Sequence, residues 1–173
     1  MGVARDVEEL AAFRASAERL DSVMREQDRI IERIMCDLQQ TMEDRIREVR
    51  GLREEAEATA RTAEDKLWHI DHDVRYAHSD DERLDYWQET RRQAVLLAEA
   101  KAEAEMRARR AADYEAQLIE RKREFDDAVF KVTQILEGPG NRYTETLGLS
   151  VAQLERALDE YYAVDVSVNT KHL

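Results

Sequence analysis

The stretch Tyr76-Ala77-His78-Ser79-Asp80-Asp81-Glu82 is a polar interruption between two very long runs of helix-type sequence, and its reading decides the fold. Ser79 stands three residues before Glu82. Its hydroxyl can accept from the Glu82 amide while the carboxylate reaches back to the Ser79 amide, a capping box. Asp80 and Asp81 add negative charge where a starting helix is electropositive. A helix is therefore expected to begin here and the chain to fold back on itself. One unbroken helix to about residue 136 is the alternative, since no Gly or Pro stands in the stretch.

On the N-terminal side, apolar residues recur in alternating steps of three and four. Leu10, Phe13, Ala17, Leu20, Met24, Ile31, Ile34 and Leu38 form a heptad seam, with Gln27 as its polar interruption. The stripe restarts four residues on at Met42 and continues through Ile46, Val49, Ala56, Ala60, Ala63, Leu67, Ile70, Val74 and Ala77. A four-residue insertion is a stutter, which unwinds a supercoil locally without breaking the helix. Arg53 occupies one seam position, and Gly51 could mark a bend.

On the C-terminal side, Leu84, Trp87, Ala94, Leu97, Ala100, Ala104, Ala108, Ala111, Tyr114, Leu118, Phe125, Ala128, Val132 and Ile135 carry the same period up to Gly138-Pro139-Gly140. Ser150-Val151-Ala152-Gln153 reads as a second cap, followed by Leu154, Leu158, Tyr161 and Tyr162. The expected architecture is all-α, a long antiparallel two-helix coiled-coil hairpin over residues 1–137 with arms of about 4–78 and 80–136. A Gly/Pro linker follows over 138–149, then a short C-terminal helix (about 151–162) and a tail within 150–173. Arms of roughly 70 and 55 residues would be about 105 and 80 Å long.

Folding at the tip pairs residues whose numbers sum to about 158. Ala56 and Ala60 then face Ala102 and Ala98, Val74 and Ile70 face Leu84 and Trp87, Leu38 faces Glu120 beside Ile119, and Met24 lies near Ile135. Leu10, Phe13 and Leu20 lie beyond the returning arm, and the C-terminal helix is expected to pack near them. Ile30, Met35, Val95, Leu96 and Val129 stand beside the seam and ask for a second contact face.

Charged residues make up 38% of the chain and aromatics 6%, with five Gly and one Pro, the profile of long helices. The net charge is -12, and each part of the chain is acidic, which argues against nucleic acid and anionic membrane as partners. The runs at Arg107, Arg109, Arg110 and at Arg121, Lys122, Arg123 sit among as many acidic residues and read as a salt-laced helix surface. No run of about 18 apolar residues exists, the first residues lack a signal-peptide pattern, and Asp6 stands where myristoylation wants Ser or Thr. The single cysteine, Cys36, can form no internal disulfide, and a cytoplasmic location is expected.

No phosphate-binding loop or nucleophile setting occurs, so no catalytic residue and no cofactor are expected. Asp65, His69 and either His72 or Asp73 share one helix face at i, i+4 and i+7 or i+8, a weak metal-ligand pattern that reads first as a solvated polar face. Trp68, Tyr76 and Trp87 gather near the tip, where Trp and Tyr make good interface anchors. Core packing accounts for Trp87 beside Leu84, while Trp68 can project sideways. Trp68, Tyr76, Trp87, Leu10, Phe13 and Leu20 are the candidate partner-interface residues.

In shape the chain resembles the small helical hairpins of the WXG100 and LXG-associated secretion type. Trp68-His69-Ile70 lacks their turn glycine; Tyr161 and Asp165 fit their Tyr-x-x-x-Asp spacing, as do Tyr76 and Asp80. That resemblance implies a hairpin exported with, or chaperoning, a partner. The acidic helical composition is also similar to that of viral scaffolding proteins. The leading expectation is a non-enzymatic coiled-coil protein–protein interaction module, an oligomeric adaptor, chaperone or scaffold subunit of a larger bacterial or viral assembly. A metal-binding helical protein is the remaining alternative.

Overall fold

The structure, a computed structural model, describes residues 2–75, 80–138 and 145–167. Three helices account for them: α1 (Gly2–Arg75), α2 (Asp80–Glu137) and α3 (Glu145–Ser167). The protein is all-α, with two long helices packed antiparallel and a shorter third. The single continuous helix is overturned, because α1 ends at Arg75 and α2 runs back along it. Ser79, and the side chain of Glu82, lie outside the described residues, as does Tyr76.

Helix propensity is high along both arms, rich in Ala, Glu, Arg and Leu. The polar groups that could compete with the backbone are satisfied locally. The hydroxyls of Thr41, Thr59 and Thr62 donate to the carbonyls of Asp37, Glu55 and Ala58 at 2.9, 3.0 and 3.0 Å. Gly51 sits within the unbroken α1 in open space, so it marks no boundary. Gly138 closes α2. Its N–H donates to the Gln134 carbonyl at 3.0 Å, and a Cβ there would press on that same oxygen at 3.0 Å.

The register differs from the one expected at the tip. Gln39 donates to Asp126 at 2.9 Å, Arg50 bonds Glu115 at 2.8 Å, and Lys101 lies 3.8 Å from Glu64; each pair sums to 165. The difference from 158 is one heptad. A seven-residue slide returns every seam residue to the seam, so hydrophobic period alone cannot separate the two registers. Small still meets small, with Ala56, Ala60, Ala63, Ala104 and Ala111 all buried. The individual partners change, however. Carried to Trp87, the observed register points past the end of α1, and Trp87 and Leu84 are about half exposed.

The core lies where all three helices meet. Met35, Met42, Ile46 and Val49 of α1, Leu118, Phe125, Val129, Val132 and Leu136 of α2, and Ala157 and Tyr161 of α3 form one buried cluster. α3 is longer than expected and starts earlier. Leu147, Val151, Leu154 and Leu158 pack on the cluster at helical spacing, so Gly148 and Ser150 fall inside the helix and residues 145–149 are not linker. It also packs elsewhere than expected. Tyr161 reaches the Met42 carbonyl at 3.5 Å, Arg45 grips Asp165 at 2.6 Å, and Arg121 meets Glu160 at 3.2 Å, which sets α3 beside the middle of α1, parallel to it.

α3 supplies part of the second contact face that the extra apolar residues asked for. Met35 and Val129 are in the core, whereas Ile30, Val95 and Leu96 remain exposed. The contact face of α1 thereby rotates off the expected seam. Met35 goes in, and the seam residue Ile34 is 52% exposed. The molecule is a three-helix bundle near residues 31–49, continued toward the tip by an Ala-lined two-helix stalk. In the other direction, among the described residues, α1 projects alone over about residues 2–27, roughly 39 Å of single helix.

Candidate functional site

The projecting segment is the feature that the fold leaves without an internal use. Every described side chain from Ala4 to Val23 is exposed. Leu136 at the end of α2 stands, by the observed register, beside about residue 29, and α3, placed by Tyr161 on Met42 and Asp165 on Arg45, begins beside about residue 26. Phe13 is 75% exposed, Leu10 68% and Leu20 60%. Val23, Ile30 and Ile34 continue the stripe down the flank of the bundle. Opposite-charge neighbours support this stretch of helix locally. Arg5 and Glu9 lie 3.4 Å apart, Asp21 and Arg25 2.8 Å, and Glu26 and Arg29 3.8 Å, each pair contributing about 0.3–0.5 kcal/mol.

A single apolar residue on a surface is ordinary, but a stripe repeated over six turns of one helix is not. It has the spacing of a coiled-coil seam and, among the described residues, no helix against it. The expectation that Leu10, Phe13 and Leu20 lie beyond the returning arm matches their exposure; the expectation that the C-terminal helix covers them is corrected, because α3 packs at Met42 and Arg45 instead. The three-and-four spacing puts Ile34 inside the hairpin seam and leaves Val23 off it. The seven-residue spacing of Val23 to Ile30, and of Phe13, Leu20, Gln27 and Ile34, carried that signal.

Where bundle gives way to stalk, a buried carboxylate joins the two long helices. Glu115 accepts from Arg50 Nε and Arg53 Nε at 2.8 Å each, and Arg53 also reaches Glu57 at 3.2 Å. Burial pushes the Glu115 carboxyl up, but the hydrogen bonds and charge of the two guanidinium groups outweigh it and hold the group below its ordinary range. Arg53, a misfit in an apolar seam, is thus satisfied across the interface. The neighbouring groove of about 310 Å³ between α1 and α2 is lined by Arg47, Arg50, Lys122 and Arg123 with Glu43 and Asp126. Its charges are largely matched, Lys122 to Asp126 at 2.8 Å and Arg47 to Asp44 at 3.4 Å.

The remaining candidates are separated by the fold. Trp68 is 59% exposed, and the rings of His69 and His72 lie on it with centroids 5.0 Å away, so both histidines are turned to the tryptophan. His72 Nδ1 is 4.0 Å from Asp73. Among the described residues no three His, Cys, Asp or Glu side chains converge as a metal would require, so Asp65, His69, His72 and Asp73 form no ligand set. Arg91 stands over the Trp87 ring at 4.7 Å. Cys36 is exposed. Tyr161 and Asp165, the pair that fits the secretion-type spacing, are occupied in packing, the one buried on Met42 and the other held by Arg45. Arg107, Arg121 and Lys122 pair with Glu103, Glu124 and Asp126, as a salt-laced surface requires.

Among the described residues no helix is long and apolar enough to cross a membrane. The fold defines the class, an all-α hairpin with a third helix packed on its middle and a bare helical extension. No protein-family model matches the chain, and comparison with curated proteins and with solved structures finds no match.

Proposed function

We propose that the protein is a non-enzymatic interaction module, an adaptor, chaperone or scaffold subunit that engages another protein chain through the bare segment of α1. The observation that carries this reading is the apolar stripe Phe13, Leu20, Val23, Ile30 and Ile34, exposed along one helix face with a heptad spacing. Burying it beneath a helix removes several large side chains from water at about 25 cal/mol per Å². Affinity would come from the stripe and orientation from the charges beside it. The bundle serves as the rigid base that holds the segment out.

A photo-reactive residue in place of Phe13, in cells producing the protein, tests this. The expected result is a covalent adduct with a protein chain, absent when the same residue replaces Glu18 on the opposite face. Equal labelling from both positions, or none from either, would refute the interaction reading.

A further inference from the structure

We propose that the bare segment pairs with the same segment of a second copy of this chain, antiparallel, over residues 9–34, with opposed residue numbers summing to 43. The inference rests on the protein-binding reading above and names the partner.

The exposed face reads Glu9, Phe13, Ser16, Leu20, Val23, Gln27, Ile30, Ile34, alternating steps of four and three. Set antiparallel at 43, Phe13 meets the partner's Ile30, Leu20 meets the partner's Val23, and Ser16 meets the partner's Gln27. Apolar faces apolar, and the two polar interruptions fall on each other, where hydroxyl and amide can hydrogen-bond. Glu9 opposite the partner's Ile34 ends the overlap on each side. A slide of one heptad spoils the match. At 36 Ile30 opposes Asp6 and Ser16 opposes Leu20, and at 50 Ser16 opposes Ile34 and Val23 opposes Gln27.

The flanking charges choose the direction. In the antiparallel pair the flanking positions meet two to either side of the seam sum, so Arg19 lies across from the partner's Glu26 at 45, and two-fold symmetry makes that contact twice. On the other edge, Ala17 lies across from the partner's Met24, and Leu10 falls beside the partner's Ile31, which its own bundle already half covers. Both charged groups stand free to engage. Arg19 makes only exposed contacts with its own helix, to the Ala15 carbonyl at 3.3 Å and Ser16 at 3.4 Å, and Glu26 is 66% exposed, 3.8 Å from Arg29. A parallel pair would bring Arg19 against Met24 and Glu26 against Ile31, with no ion pair.

The bundle leaves room for this. It packs on the side of α1 that carries Ile31, Met35 and Leu38, while Ile30 and Ile34 stay exposed beside it, so the stripe is open to residue 34. A second helix can pass along the flank of the bundle. The two bundles then stand at opposite ends of the dimer, and the symmetric contact closes on itself without propagating.

Sedimentation equilibrium of the full chain at low salt tests the proposal. The expected mass is twice 20.2 kDa. Arg19→Glu and Glu26→Arg should each raise the dissociation constant about tenfold, and the double variant R19E/E26R should restore it, because the ion pairs reform reversed. Helix content by circular dichroism should be the same in all three. In a Cys36→Ser background, Ala12→Cys with Arg33→Cys should oxidise to a 12-to-33 link between chains; within one α1 those positions are about 32 Å apart. A monomer at several hundred micromolar, a double variant as weak as the singles, or 12-to-12 links would each overturn the proposal. A monomer that still cross-links another protein from Phe13 would leave the interaction reading standing while removing this partner.

Discussion

Replacing Glu115 with Ala probes the junction between bundle and stalk. The side chain is 11% exposed and takes one arginine on each carboxylate oxygen at 2.8 Å. Removing one member of a fully buried ion pair costs about 3–5 kcal/mol, because the charge left behind cannot rehydrate. Here Arg50 is 47% and Arg53 26% exposed, and Arg53 keeps Glu57 at 3.2 Å, so both cations recover water or a partner. The expected loss is therefore smaller, about 1–2 kcal/mol at neutral pH. Glu115→Gln separates charge from packing and should lose somewhat less. The pH dependence has a definite sign. The folded carboxyl titrates below its unfolded value, so its contribution is complete above the unfolded pKa of about 4.3 and is lost as pH falls through the lowered folded value. Urea unfolding followed by circular dichroism at pH 7 and pH 3 reads both effects. A Glu115→Ala variant as stable as the parent at pH 7, or a deficit just as large at pH 3, would refute the reasoning.

Three further outcomes follow from the packing. Burial, with the Asp165 charge adding to it, pushes the Tyr161 phenol up to about 12, so its contribution to stability is complete below pH 10 and is lost as pH rises through 12. Absorbance at 295 nm should show one tyrosine ionising late, and its absence in Tyr161→Phe assigns it. Asp165→Asn removes the carboxylate that Arg45 holds at 2.6 Å and should cost about 1 kcal/mol, with faster amide exchange in the last turns of α3. In a Cys36→Ser background, Gln39→Cys with Asp126→Cys should form a disulfide, and Gln39→Cys with Ile119→Cys, the pairing at 158, should not. The reverse result would restore the register expected from the tip.

Much of the fold was legible in the residue pattern. The three-and-four spacing marks both long helices, and the polar stretch at 76–82 separates them. Register was not legible from hydrophobic period, since sliding Leu118 or Phe125 by seven residues leaves each on the seam. Arg53 does not separate the registers either, because a guanidinium in a seam needs an acid beside it, and Glu105 stands opposite at 158 while Glu115 takes it at the observed register. The start of α3 is hidden because Gly148 and Ser150 resemble a break and a cap, yet Leu147, Val151, Leu154, Leu158 and Tyr161 carry one helical face. Its placement depended on which face of α1 remained open beside Met42, a question of three-helix packing that a two-helix seam does not pose. The bare extension was half legible, since Leu10, Phe13 and Leu20 outrun the returning arm by simple counting. That no described helix returns to cover them followed only once α3 was located.

Amide hydrogen exchange along α1, measured on the full chain from dilute to concentrated solution, tests the central claim most directly. The amides of Met35 to Val49 should be protected at every concentration, while those of residues 4–27 should exchange quickly in dilute solution and become protected as the stripe is covered. Strong protection of residues 4–27 in a dilute monomer would contradict the account, because the segment would then be covered by its own chain.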